Sequence, residues 1–136
     1  MITVADAEDL YLPALCVWRE MRGESPQARL ACFWVIRNRT TDLRFRWPRR
    51  PALVVTQPFQ FSSFNHGDPN AALIPKAGGT DWHAWLDICA MCDAPGGDPT
   101  GGANQYEALP DDAPKPGWVA QSSLLVTIGK TRFYRL

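Results

Sequence analysis

Two features are missing from the sequence: a long apolar run and a basic N-terminus. No apolar stretch approaches the roughly 18 residues that a candidate membrane-spanning helix needs. Acidic residues, Asp6, Glu8 and Asp9, stand where a classical export signal would carry lysine or arginine. The pattern predicts a protein with no stable membrane insertion that remains in the cytoplasm in which it is made.

Histidine is scarce, and the formal net charge is zero. His66, His83 and Glu107 have no partner at the spacing that metal ligands need, so we expect no metal and no cofactor. Arginines are concentrated between Arg37 and Arg50, a pattern that suits either an anionic partner or a solvated helix end and loop. No nucleic-acid-binding motif accompanies them, so nucleic acid is not the expected partner.

The four cysteines fit packing better than redox or metal chemistry. Cys16 and Cys32 fall within apolar helical patterns, where a free thiol packs as a small hydrophobe. Cys89 and Cys92 have Cys-x-x-Cys spacing, but no second pair follows at zinc-finger spacing and no strand leads into them. All four are expected to remain reduced.

The length of 136 residues fits a single domain covering 1–136. Ser25 followed by Pro26 is a strong helix start, and the C-terminal "LLVTIGKTRFYRL" predicts a hairpin around its Gly-Lys pair. The fold class is α+β, a mainly helical domain with a small C-terminal β-hairpin or sheet. Helices are predicted from about Asp6 or Ala7 to Met21 or Arg22, from Pro26 to about Arg39, near 51–57, and from an N-cap at Asp81 to about Asp93.

Glu20 ends the apolar helical run "YLPALCVW". A carboxyl group among apolar neighbours is expensive to ionise. Either Glu20 points outward and has no special role, or it is buried with a raised pKa and can deliver a proton. Glu24 follows Gly23, which should end the helix, so Glu24 is expected to pair with an arginine or to cap the next helix.

Two loops have a composition that suits a sugar-binding cleft. The segments "QFSSF" from Gln60 and "DPTGGANQYE" from Asp98 mix small, polar and aromatic residues. Their glycines allow the backbone to approach a ligand closely. The sequence also has six tryptophans, which either pack in the core or present flat apolar faces to sugar rings.

Six segments in order, "WREMRGES", "VIRNR", "VVTQPFQFS", "DPTGGANQY", "PGW" and "IGKTRFY", resemble the SleB-like cell-wall hydrolase family of spore-cortex-lytic and related enzymes. The resemblance extends from about Leu15 to Tyr134. It implies a lysozyme-like catalytic domain that cuts peptidoglycan glycan strands between N-acetylmuramic acid and N-acetylglucosamine as a lytic transglycosylase. Gln105 and Thr131 depart from the family pattern, since family members commonly have histidine at these places.

The resemblance places the catalytic glutamate at Glu20. This residue would act first as acid and then as base, while the muramic acid 6-hydroxyl closes a 1,6-anhydro ring. Two alternatives remain open: a water-using muramidase with Asp98 as second carboxylate, and a non-catalytic wall-binding or virion structural protein. The candidate substrate-binding residues are Gln60, Phe61, Ser62, Asp98, Thr100, Gly101, Gly102 and Tyr106.

The missing export signal makes the chain look more like a phage endolysin than a secreted member of the family. Such a protein is made in the host cytoplasm and reaches the wall when a membrane-permeabilising partner opens the way. Packaging in a virion is the alternative location. The partner is expected to be the peptidoglycan glycan strand, and the protein is expected to be a monomer.

Overall fold

Helices come first in the chain and a three-stranded antiparallel sheet comes last. The computed structural model describes residues 1–58, 60–108 and 115–136. The architecture is the predicted α+β class, mainly helical with a small sheet. Its elements are α1 (Val4–Met21), α2 (Pro26–Thr41), α3 (Pro51–Thr56), α4 (Trp82–Asp93), β1 (Gln105–Ala108), β2 (Ser123–Ile128) and β3 (Thr131–Arg135), with short 3-10 helices at Ser62–Phe64, Pro69–Ala72 and Gly117–Gln121.

Helix α1 begins two or three residues before the predicted start because Thr3 and Asp6 form a capping box. The Thr3 hydroxyl accepts from the Asp6 backbone N–H, and the Asp6 carboxylate accepts from the Thr3 N–H. The helix continues through Pro13 to Met21, and most of its second half is buried. Within the described residues, none of the helices is both long and apolar enough to cross a membrane.

Helix α2 forms the centre of the molecule, as its apolar sequence predicts. The Ser25 hydroxyl accepts from the Ala28 N–H, and Pro26 occupies the first helical position. One side of α2 packs with α1, α3 and α4 in the main core. The other side, including Ala31 and Val35, packs against Phe133 of the sheet.

The sheet has the strand order β1-β3-β2. Strands β2 and β3 form the predicted hairpin, which turns at Gly129 with φ +58. Strand β1 was expected to be part of a loop, and this expectation is wrong for Gln105–Ala108. These four residues pair with β3, and Tyr106 lies opposite Phe133. Pairing with a distant strand, rather than a local pattern, makes this segment a strand.

The arginine-rich segment is not a continuous free patch. Arg39 is buried, with 2% exposure. Arg44 forms an ion pair with Asp42, and hydrogen bonds from Arg44 and Asn104 lower the pKa of Asp42 to about 2. Arg50 forms an ion pair with Asp9 of α1. Arg39, Arg44 and Arg50 therefore contribute to the fold rather than to a free basic surface.

The four cysteines are free, as predicted. Cys16, Cys32 and Cys92 are buried in the main core, and Cys89 packs against its edge. Burial raises the pKa of Cys92 to about 12 and raises the pKa of Cys16 further above its usual value. The thiols therefore stay protonated at neutral pH and pack as apolar groups.

Candidate active site

A cleft of about 400 Å³ lies where the end of α1, the segment 60–65 and strand β1 meet. It brings together residues from five separate parts of the chain. Its walls contain both polar and aromatic groups, as in sites for polar ligands with flat faces. The lining residues are Glu20, Arg39, Gln60, Phe61, Ser62, Asn65, Gln105, Tyr106, Glu107, Ala108, Pro116 and Trp118.

Glu20 lies in the last turn of α1, half-buried in this cleft. The backbone N–H of Ser63 faces the Glu20 carboxylate, with 3.4 Å between the nitrogen and Oε1. The negative charge of Glu20 is close enough to the thiol of Cys32 and the phenol of Tyr106 to contribute to their raised pKa values. The carboxyl group thus stands between the cleft and the buried interior.

Arg19 holds the segment that carries Ser63 against α1. Its guanidinium donates to the carbonyl oxygens of Ser63, Ala71 and Leu73 at 3.2, 3.0 and 3.1 Å. It also lies over the ring of Phe64, 4.8 Å from the centroid. Because Arg19 precedes Glu20 in the helix, the same turn of α1 positions both the carboxylate and the backbone facing it.

Tyr106 and Phe61 form the floor of the cleft. The Tyr106 ring lies between Phe61 and Phe133, with centroids 6.3 and 6.0 Å away. Burial, together with the negative charge of Glu20, raises the pKa of Tyr106 well above its usual value, so its phenol stays protonated. Phe61 is 2% exposed and therefore supports the floor rather than presenting a free face.

Asp98 and its loop lie outside the residues that line this cleft. Asp98 Oδ1 accepts from the N–H and hydroxyl of Thr100 at 2.8 and 2.7 Å, and Oδ2 accepts from Asn38 and the Gly102 N–H, both at 2.9 Å. Burial raises the pKa of Asp98, but these hydrogen bonds more than offset burial, and the pKa lies below its usual value.

The same loop bends the chain toward β1. Gly101 and Gly102 have φ of +72 and +109, values that other residues rarely adopt. Thr100 is buried, and Gly102 lines a separate hollow beside Asp42 and Arg135. The structure thus brings Gln60, Phe61, Ser62 and Tyr106 together with Glu20, but not Asp98, Thr100, Gly101 and Gly102, whose contacts with substrate stay a prediction.

The sequence profile of the cell wall hydrolase family matches residues 23–134, which is most of the chain. The chain belongs to this family. Glu20 lies just before the matched range and is placed by α1. No curated protein matches the chain.

Two solved structures resemble this cell wall hydrolase over nearly their whole length. The catalytic domain of the Bacillus cereus SleB protein is 29% identical, with a TM-score of 0.68, and the match covers 95% of this chain and 91% of that one. The catalytic domain of the germination-specific lytic transglycosylase SleB from Bacillus anthracis is 30% identical, with a TM-score of 0.68 and 94% coverage of both chains.

Glu107 is a second carboxylate of the hydrolase's cleft. Its Oε1 accepts from the Tyr134 hydroxyl at 2.8 Å and from Arg132 Nη1 at 3.4 Å. Glu107 reaches the cleft because β1 pairs with β3, with Glu107 opposite Arg132. Without β1 as a strand, the sequence gives no signal for this position.

Of the two departures from the family pattern, Gln105 lies in the cleft of the hydrolase and Thr131 does not. Gln105 is the first residue of β1, and its side-chain oxygen accepts from Arg39 at 2.9 Å. Thr131 is buried at the start of β3. Across 1–58, 60–108 and 115–136, no three His, Cys, Asp or Glu side chains group closely enough to hold a metal ion.

Arg39 is the cleft residue that a sequence signal could have revealed. It follows Cys32, Val35 and Ile36 at helical spacings of seven, four and three residues, and all three are fully buried. An arginine on the buried face of an apolar helix is unusual and points to a specific role. By position alone, Arg39 falls among the arginines of the segment from Arg37 to Arg50.

Proposed function

We propose that this protein cleaves the glycan strand of peptidoglycan, between N-acetylmuramic acid and N-acetylglucosamine, as a lytic transglycosylase. The observation that carries the proposal is the half-buried Glu20 at the wall of a cleft with amide and aromatic groups. Support for the reaction type comes from the similarity to SleB of Bacillus anthracis, itself described as a lytic transglycosylase.

In the proposed mechanism, Glu20 is protonated when the glycan binds. Because the Ser63 N–H faces Oε1, Oε2 is the oxygen that would pass the proton to the glycosidic oxygen as the bond to the anomeric carbon breaks. Positive charge develops on the muramic acid ring. The 6-hydroxyl of the same sugar then bonds to the anomeric carbon, and the Glu20 carboxylate accepts the hydroxyl proton. The acid is restored without consuming water.

Other cleft residues would bind the sugars on either side of the scissile bond. Gln60 and Ser62 are exposed polar residues of the cleft wall, and Tyr106 lies beneath them. The half-buried Trp118 packs edge-on against Tyr134, with centroids 5.3 Å apart, which holds its ring at the opposite wall. A fixed indole of this kind suits the apolar face of a sugar ring.

The product of the reaction tests the proposal. Digestion of purified peptidoglycan should give muropeptides with 1,6-anhydromuramic ends, which have no reducing end. Mass spectrometry should find each of them lighter by one water than the corresponding hydrolysis product. Digestion in H₂¹⁸O should leave these ends unlabelled, because no water enters them. Reducing muramic acid ends that carry ¹⁸O would contradict the transglycosylase mechanism.

A hydrolytic muramidase is the second candidate, because Glu107 shares the cleft with Glu20. A hydrolase of this kind needs a second carboxylate to activate water. Glu107 is better placed for that task than Asp98, whose oxygens bind their own loop. The proposed transglycosylase mechanism needs no second carboxylate.

Substitution Glu107→Gln therefore separates the two mechanisms. If the protein is a transglycosylase, the variant should form the same anhydro ends, at a rate reduced about tenfold or less through weaker positioning. Glutamine keeps an oxygen that can accept from Tyr134, so the sheet should remain intact. Kinetics and product mass measured on the same digest check both points. Complete loss of cleavage in a folded variant would favour the hydrolytic mechanism.

A further inference from the structure

Arg39 is a buried cation that donates hydrogen bonds to three uncharged acceptors. Nε donates to the Asn104 carbonyl oxygen at 2.8 Å, Nη1 to Gln60 Oε1 at 3.3 Å and Nη2 to Gln105 Oε1 at 2.9 Å. None of the ion pairs within 1–58, 60–108 and 115–136 involves Arg39. Burial lowers the pKa of Arg39 to about 10, which still leaves it charged at neutral pH.

Two aromatic rings hold the guanidinium in place. Its Cζ lies 5.2 Å from the Trp47 centroid and 4.9 Å from the Phe61 centroid. A buried cation normally pairs with a carboxylate, because desolvation is costly. Cation–π contacts and three hydrogen bonds offset part of that cost here. The arrangement keeps a permanent set of donors directed at two glutamine side chains.

The chemistry of arginine fixes the orientation of both glutamine amides. A guanidinium can only donate, so Gln60 and Gln105 must turn their Oε1 atoms toward Arg39. Their Nε2 groups then point away from Arg39, and both glutamines line the cleft that contains Glu20. A free glutamine amide can rotate by half a turn and offer either a donor or an acceptor. Because Arg39 fixes their Oε1 atoms, Gln60 and Gln105 present their Nε2 groups as hydrogen-bond donors.

We propose that Arg39 is a positioning residue that holds the amides of Gln60 and Gln105 as donors for the N-acetyl carbonyl oxygens of the glycan. A carbonyl oxygen only accepts, so it gains most from donors of fixed orientation. A sugar hydroxyl both donates and accepts, so it gains less. An anionic group is disfavoured because Glu20 and Glu107 line the same cleft. The proposal rests on the function proposed above, since it takes the ligand to be an N-acetylated glycan.

Substitution Gln105→Glu tests the role of the amide without removing the contact with Arg39. A glutamate oxygen accepts from Arg39 Nη2 as the glutamine oxygen does, with the added attraction of opposite charges, but it has no N–H. The substitution is made in the Glu20→Gln protein, so that strands are bound without being cut. The probes are purified glycan strands, N-acetylated or chemically de-N-acetylated, and the readout is the ratio of their dissociation constants.

We expect Gln105→Glu to weaken binding of the N-acetylated strands about tenfold while the unfolding temperature stays the same or rises. The de-N-acetylated strands, which carry ammonium groups, should bind as well as before or more tightly. Gln27→Glu is the matched control, since Gln27 is exposed on α2 and does not line the cleft. It adds the same charge and should leave the ratio unchanged.

Arg39→Lys provides a second arm, because a single ammonium group cannot hold both glutamine oxygens in the planar geometry of a guanidinium. If it folds, it should lose the same preference for N-acetylated strands. Unchanged binding of the N-acetylated strands by Gln105→Glu would overturn the proposal and leave the proposed function intact, because a ratio that changes through the de-N-acetylated strands alone reflects only the added charge. If the Glu20→Gln protein bound neither kind of strand, both the proposal and the proposed function would be wrong.

Discussion

Replacing Glu20 with glutamine should reduce cleavage of purified peptidoglycan by a factor of about a hundred to ten thousand, the usual contribution of a general acid. Glutamine has nearly the same shape and still accepts from the Ser63 N–H, but it has no proton to deliver. The unfolding temperature should stay the same or rise slightly, because a half-buried carboxyl group costs stability. Release of soluble muropeptides and thermal unfolding measure the two effects.

Glu24→Gln is the matched control for this experiment. Glu24 is also half-buried and lies four residues further along the chain, but it does not line the cleft. The control should cleave peptidoglycan at the wild-type rate. Cleavage by Glu20→Gln at the rate of the control would remove Glu20 from the mechanism. Binding of peptidoglycan by the wild type without any cleavage would favour a non-catalytic wall-binding protein.

The helices and the hairpin follow from local signals in the sequence. Ser25 and Pro26 start α2 through local effects. The Ser25 hydroxyl accepts from a backbone N–H of the first turn, and the fixed φ of Pro26 already suits a helix. Gly129 marks the turn of the hairpin because the turn needs a positive φ, which residues other than glycine rarely adopt. The start of α1 differs from the prediction, because Thr3 and Asp6 form a capping box and the helix begins earlier, at Val4.

Strand β1 could not be predicted in the same way. It has four residues, and each pairs with a residue of β3 more than twenty positions later. Glycines before it suggested a ligand-binding loop, but Gly101 and Gly102 serve the turn that leads into the strand. A local pattern does not reveal a contact whose partner is so far away in the sequence.

The site could be predicted only as far as its residues had a signal of their own. Glu20 stood out because a carboxylate at an apolar helix end is costly. Gln105 and Glu107 are ordinary polar residues until the pairing of β1 with β3 brings them to the cleft. Arg39 has a signal only when its place on the buried face of α2 is considered. Such a site forms only where separate helices and strands meet in the fold. The second carboxylate, Glu107, and the buried cation, Arg39, therefore become cleft residues only in the folded protein.

Asp98→Ala is expected to have the largest effect on stability, a loss of about 3 kcal/mol in the free energy of unfolding at pH 7. The substitution removes the acceptor for the Thr100 N–H and hydroxyl, the Gly102 N–H and the Asn38 amide. Thr100 is buried, so water cannot fully replace the lost bonds. Urea unfolding at several pH values measures the effect, and Asp93→Ala, exposed at the end of α4, is the control.

The stability that Asp98 contributes should depend on pH in one direction. Its pKa in the folded protein lies below the value of about 3.9 expected in the unfolded chain. The contribution is therefore complete above about pH 4 and is lost as the pH falls through the folded-state pKa. The difference in the free energy of unfolding between the wild type and Asp98→Ala should therefore become smaller as the pH falls.

The anhydro product of Asp98→Ala should be the same as that of the wild type, because the carboxylate holds the loop before β1. If Asp98→Ala lost cleavage but kept its stability, Asp98 would instead be a residue that contacts the substrate.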